Sequence, residues 1–141
     1  MTGVPPNSTP GGRGREVADA SFLAAAASEL AGIEFGNRHR EGTALRLEIG
    51  TLHLGHDGFV DAGALFTFAD TASACDTTRA VRACCTTAEA KISYLAPVTE
   101  GALSPPSRIL TASRGLVAAT VSIHCDEVHG AQAVFTFAML P

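Results

Sequence analysis

The clearest pattern in the chain is a strict alternation near its C-terminus. From Leu116 to Cys125, the residues Val117, Ala119, Val121 and Ile123 occupy every second position. A period of two places them on one face of a strand. Ala131 to Leu140 repeats the pattern, with Ala133, Phe135, Phe137 and Met139 inward, and Asp126 to Gly130 reads as the hairpin turn between the two. Thr86 to Leu95 alternates as well. Ala88, Ala90, Ile92 and Tyr94 share one side, Glu89, Lys91 and Ser93 the other, and Pro97 closes the run. Ala102 to Ser113 is the next strand, and Pro105-Pro106 inside it demands an edge, a bulge or a break. Nearer the N-terminus, Thr43 to Ile49 sets Leu45, Leu47 and Ile49 against Ala44, Arg46 and Glu48. Ile33 to Phe35 begins a first strand, and Gly36-Asn37-Arg38-His39 reads as a turn or bulge.

Two stretches follow a helical period instead. Ser21 to Leu30 carries Phe22, Leu23, Ala26, Ala27 and Leu30 as a stripe, with Ser21 as cap and Gly32 as stop. The second runs from about Asp61 to Arg79, after a polar, glycine-bearing loop from Thr51 to Gly58. Asp61 is a competent N-cap. Ala62, Gly63, Ala64, Ala69, Ala72 and Ala74 are unusually small, so this helix can approach other backbone closely, as one beneath a sheet must. Antiparallel strands with one long helix make an α+β fold. Met1 to Arg15, rich in Pro, Gly, Ser and Arg, reads as a disordered tail before a single domain over 16–141.

Composition narrows the function classes. A net charge of −4, no Trp and one Tyr argue against a nucleic-acid binder. Polar residues interrupt every apolar stretch well before ~18 residues, so no membrane span is expected. The N-terminus lacks the basic start and apolar core of a signal peptide, which points to the cytoplasm. The four cysteines read as structural thiols in a reducing compartment. Cys84, Cys85, His124 and Cys125 match no common metal spacing, so no metal site is expected.

The chain holds no phosphate-binding glycine loop, no dinucleotide fingerprint, no H-E-x-x-H and no G-x-S-x-G. A carboxylate is the remaining actor, and Asp70 stands out. Phe68, Ala69, Thr71 and Ala72 surround it, and no Lys or Arg lies within four residues along the helix. Such a carboxylate is either hydrogen-bonded within the structure or functional. Backbone N–H groups at Ala62 and Gly63 lie at the positive end of the same helix, able to polarise a carbonyl. Asp61 and Asp70 are nine residues apart, about 900° of rotation and roughly 13.5 Å of rise. One helix cannot bring both ends to one bond. An antiparallel second copy can, so if both features act on one bond the site is shared across a two-fold dimer.

The stretch Val60-Asp61-Ala62-Gly63-Ala64-Leu65-Phe66-Thr67-Phe68-Ala69-Asp70-Thr71-Ala72 resembles the signature of the PaaI-like hotdog thioesterases, roughly V-H-G-G-A-L-F-T-L-A-D-T-A. Ala88 to Val98 resembles the strand that follows it, which ends in Y-L-x-P-V. The resemblance implies a hotdog fold, a sheet wrapped around one long central helix, in homodimers or homotetramers. It implies hydrolysis of a small or aryl acyl thioester of coenzyme A or a carrier protein, with no cofactor beyond the coenzyme A of the substrate. Carried over, Asp70 is the nucleophile or general base, and the amides of Ala62 and Gly63 polarise the thioester carbonyl. Asp61 stands at the motif histidine, and Ala62 at its first glycine. Gly55 stands where related chains often carry Asn or Gln, with His56 beside it as a substitute. Thr71 and Ser73 are candidate substrate contacts, or bond to the preceding helical turn. Arg114, before Gly115, is the best candidate for the coenzyme phosphates. A non-catalytic acyl-binding protein and a hotdog dehydratase or lyase are the alternative readings.

Overall fold

The computed structural model describes residues 32–35 and 45–141. The expected N-terminal tail, the helix at Ser21–Leu30 and the turn at Gly36–His39 lie outside them. The strands are β1 (Ile33–Phe35), β2 (Leu45–Glu48), β3 (Cys85–Tyr94), β4 (Ala102–Ser104), β5 (Ser107–Ser113), β6 (Leu116–Cys125) and β7 (Val128–Met139). Between β2 and β3 come a short 3-10 turn (Thr51–His53) and the long helix α1 (Ala62–Val81).

All pairings are antiparallel, in the order β1-β2-β4-β6-β7-β3, with β5 also on β6. β4 and β5 are one strand broken in two. Both lie along the same side of β6, β4 at His124–Cys125 and β5 at Leu116–Val121. Pro105-Pro106 sits at the break, where neither ring nitrogen can donate to a ladder. The prolines expected to interrupt this strand do so. Arg114 and Gly115 form the two-residue β5–β6 turn with φ of 50° and 83°, the positive pair of a type I′ hairpin. The β6–β7 turn is shorter than its sequence suggests, since β7 already starts at Val128.

The alternating positions of β6 and β7 bury as the pattern requires. Val117, Val121, Ile123, Phe135 and Phe137 are fully buried under α1, beside Leu47, Leu103 and Phe68. Phe135 stacks on Phe137 at 5.8 Å and tilts against Phe66 at 5.7 Å. Helix α1 runs two residues past its expected end and stops on Arg82, in the left-handed region with φ 55°.

β3 departs from the expected alternation. Its register against β7 slips between Thr87 and Glu89, leaving Ala88 as an extra residue. A bulge of this kind reverses the phase of the strand. Thr87 pairs with buried Phe137, whereas after the slip Ala90, Ile92 and Tyr94 pair with buried Phe135, Ala133 and Ala131. The helix-facing set is therefore Cys85, Thr87, Ala90, Ile92 and Tyr94. Ala88, assigned to that set from alternation alone, is the unpaired residue of the bulge. β3 is also the outermost strand on its side of the sheet, and Thr86 to Lys91 are exposed.

Candidate active site

Asp70 projects from the middle of α1 toward β3. It is half-buried, and Oδ1 accepts a hydrogen bond from the Thr87 hydroxyl at 2.6 Å. Burial pushes the carboxyl above its ordinary value, and the Thr87 bond acts in the opposite direction. The partner is thus a strand residue seventeen positions away. Asp76, on another flank of the helix, accepts from Ser107 of β5, so the two carboxylates tie α1 to different strands.

The helix starts where its sequence says. Asp61 has φ −62° and ψ 139°, and its Oδ2 accepts from Gly63 N at 2.9 Å. That bond corrects one expectation. The Gly63 amide already has an acceptor, so within the protomer it is not an open donor. Asp61 O accepts from Ala64 N and Leu65 N at 3.0 and 3.2 Å. Among the described residues, no acceptor takes the Ala62 N–H, which leaves it the one unoccupied amide of this first turn. Tyr94, at the end of β3, donates from its hydroxyl to Ala62 O at 3.0 Å. Thr87 and Tyr94 are not among the residues that the sequence offers as candidates, though they are the side chains that bond Asp70 and Ala62 O. Tyr94 stood in the Y-L-x-P-V stretch, but Thr87 carried no local signal.

The remaining candidates are scattered. His56 is exposed in a loop closed by Gly55 N to Phe59 O at 2.7 Å, and hydrogen bonds bring it to neither Asp70 nor Ala62. His53 holds the 3-10 turn, its Nδ1 accepting from Gly50 N at 2.8 Å. Thr71 is buried. Ser73 is fully buried, and its hydroxyl donates to Ala69 O at 2.8 Å, back into the helix. Arg114 is exposed in its turn, whose Gly115 O accepts from Met139 N at 2.7 Å. Met139 pairs with Cys85, so the turn lies toward the Asp70 end of α1 rather than the Ala62 end. Among the described residues, no group of three or more His, Cys, Asp or Glu side chains is placed to hold a metal. No helix among them is long and apolar enough to cross a membrane.

Residues 57–131, more than half of the chain and all of helix α1, match the model of the thioesterase superfamily. The chain belongs to the thioesterase superfamily. Solved structures place its fold among the PaaI-like hotdog proteins. The PaaI protein of the Escherichia coli phenylacetic acid degradation operon is 16% identical, with a TM-score of 0.77 over 88% of this chain and 91% of that one. A mutant of thioesterase PA1618 from Pseudomonas aeruginosa is 18% identical, with a TM-score of 0.78 over 89% and 93%. Protein BH2602 from Bacillus halodurans, solved with CoA, is 23% identical, with a TM-score of 0.64 over 68% and 70%. No curated protein matches the chain. In this member of the superfamily Asp70 rests on a strand hydroxyl, and Asp61 is engaged as a helix cap.

Proposed function

We propose that this protein hydrolyses acyl thioesters of coenzyme A or a carrier protein, and that Asp70 is its catalytic carboxylate. The observation that carries the proposal is the setting of Asp70: half-buried, raised in pKa, and held by the Thr87 hydroxyl at a strand edge. A carboxyl with a raised pKa is a better proton acceptor than an exposed one. Acting as base, Asp70 takes a proton from water while the water oxygen bonds to the thioester carbon. The carbonyl oxygen becomes an oxyanion held by the Ala62 N–H at the helix's positive end. The C–S bond then breaks, and the thiolate leaves and is protonated. In the alternative route Asp70 attacks the carbonyl itself, and water opens the resulting anhydride. The CoA in the BH2602 structure supports a coenzyme A thioester as substrate.

Asp70 and Ala62 are eight residues apart on one helix, about 12 Å of rise, so one protomer does not close the site. The exposed edge of β3 supplies the means of closing it. Within a protomer, Asp70 lies at Thr87 and Ala62 at Tyr94. Bringing Asp70 to the Ala62 amide of a second copy sets Thr87 against the partner's Tyr94 in an antiparallel β3–β3 pair. Both side chains face the helix side, as direct partners must. Counting inward past the bulge pairs Glu89 with the partner's Ser93, Ala90 with the partner's Ile92, and Lys91 with its own copy on the two-fold axis. Such a dimer holds two sites.

The decisive experiment is thiol release from a panel of acyl-CoAs, wild type against Asp70→Asn. Turnover that survives in the variant removes Asp70 from the chemistry. Binding of acyl-CoA without turnover in the wild type replaces hydrolysis with an acyl-binding role.

A further inference from the structure

Tyr94 stands beside both halves of the proposed site. Within a protomer its hydroxyl donates to Ala62 O at 3.0 Å, which sets the ring next to Ala62. In the antiparallel β3–β3 pair the same ring lies directly opposite Thr87 of the second copy, the residue bonded to Asp70. Directly opposed side chains have Cβ atoms about 4.5–5.5 Å apart. The bulge at Ala88 makes this meeting possible. Thr87 and Tyr94 are seven residues apart, and an odd spacing on a regular strand would put them on opposite faces. With the extra residue both face the helix side, paired with fully buried Phe137 and Ala131. Exposure is a second, separate observation. Tyr94 faces the helix side, yet its ring is nearly half exposed in the protomer, because β3 is an edge strand. The ring is therefore held at its tip and bare along its side.

We infer that Tyr94 is a specificity-determining residue that acts in trans: its ring walls the acyl pocket at the other copy's Asp70 and selects flat, compact aryl groups over long flexible chains. The inference rests on the thioesterase reading and on the β3–β3 register. A carbonyl within reach of the Ala62 N–H of one copy and Asp70 of the other has this ring beside it. The group attached to that carbonyl packs on the ring. An aryl group gains an aromatic contact there, whereas a long chain gives up rotamer freedom for the same area. The phenol serves as an anchor. Burial first, and the Asp61 charge second, push it above its ordinary value, so the hydroxyl stays protonated and donating to Ala62 O.

The test compares benzoyl-CoA with decanoyl-CoA as the ratio of their kcat/KM values. Tyr94→Ala is expected to lower the benzoyl-to-decanoyl ratio about tenfold, and Tyr94→Phe, which keeps the ring, to preserve it. Heterodimers, co-expressed with two tags and purified over both, decide whose ring acts. Tyr94→Ala paired with Asp70→Asn holds one intact carboxylate, opposite the other copy's intact ring, and is expected to keep the wild-type ratio. Wild type paired with the double variant Asp70→Asn/Tyr94→Ala is expected to show the lowered ratio. A ring acting within its own protomer exchanges these two results and overturns the inference. The chain has one tyrosine and no tryptophan, so its fluorescence reports on this ring alone. In Asp70→Asn, benzoyl-CoA is expected to change that fluorescence more than the same concentration of free CoA. Equal changes, or an unchanged ratio in Tyr94→Ala, overturn the inference, and turnover that still depends on Asp70 leaves the thioesterase reading in place. If the wild type hydrolyses no acyl-CoA, that reading fails by itself, and the fluorescence still decides whether an acyl group lies on the ring.

Discussion

The Thr87 hydroxyl lies 2.6 Å from Asp70 Oδ1, in the range of a charge-assisted O–H···O bond. This bond opposes the effect of burial on the carboxylate. Thr87→Val keeps the volume and removes the donor. Asp70 then titrates higher still, because burial acts unopposed. The acid limb of kcat/KM is expected to move to higher pH in Thr87→Val, with the plateau lowered as the carboxylate loses its fixed orientation. A pH–rate profile of the two proteins measures this, and an unmoved acid limb separates Thr87 from the titration of Asp70.

Asp70→Asn is expected to abolish most turnover, by about 10²–10⁴-fold if the carboxylate is the general base. Stability is expected to move the other way. The folded state raises the Asp70 pKa, so between the ordinary value and the raised one it binds more protons than the unfolded chain. Its contribution to stability is present below that window and is lost as pH rises through the folded pKa. The asparagine variant lacks this penalty and still accepts from Thr87. Its melting temperature relative to wild type should improve as pH rises from acid to neutral. A constant difference across that range would show that the carboxylate is not desolvated in solution.

The β3–β3 register makes a narrow prediction. In the proposed dimer Lys91 meets its own copy on the two-fold axis, within disulfide reach for a directly opposed pair. Lys91→Cys is expected to form an interchain disulfide under mild oxidation, seen as a reducible dimer on a gel. Thr86→Cys, beyond the Thr87 pair, is expected to form none. Cross-linking at position 86 in place of 91 would move the axis and separate Asp70 from the partner's Ala62.

Phe135 joins the sheet to the helix through both Phe137 and Phe66. It is fully buried, so Phe135→Ala should destabilise the fold by about 3–5 kcal/mol. Denaturant unfolding of the two proteins checks this. A loss near 1 kcal/mol would mean that the cavity collapses around Ala90 and Phe66.

What the sequence determined by itself is local. Alternation at Leu116–Cys125 and Ala131–Leu140 named the buried residues of β6 and β7, because a half-buried strand repeats every two residues. Asp61 announced the start of α1, because its side chain can reach an amide only two or three residues on. Pro105-Pro106 announced the break between β4 and β5. Asp70 was conspicuous as a carboxylate without a helical ion-pair partner. Tertiary structure alone decided what these groups touch. The Thr87–Asp70 and Tyr94–Ala62 bonds join residues seventeen and thirty-two positions apart, and no period spans such distances. Both depend on one extra residue in β3, Ala88, which inverts the faces before it. Alternation cannot show that inversion, since the register of β3 is set by its pairing with β7. The Asp61–Gly63 bond, by contrast, is local: the cap that the sequence announced at Asp61 takes the Gly63 amide, and among the described residues the Ala62 amide has no acceptor.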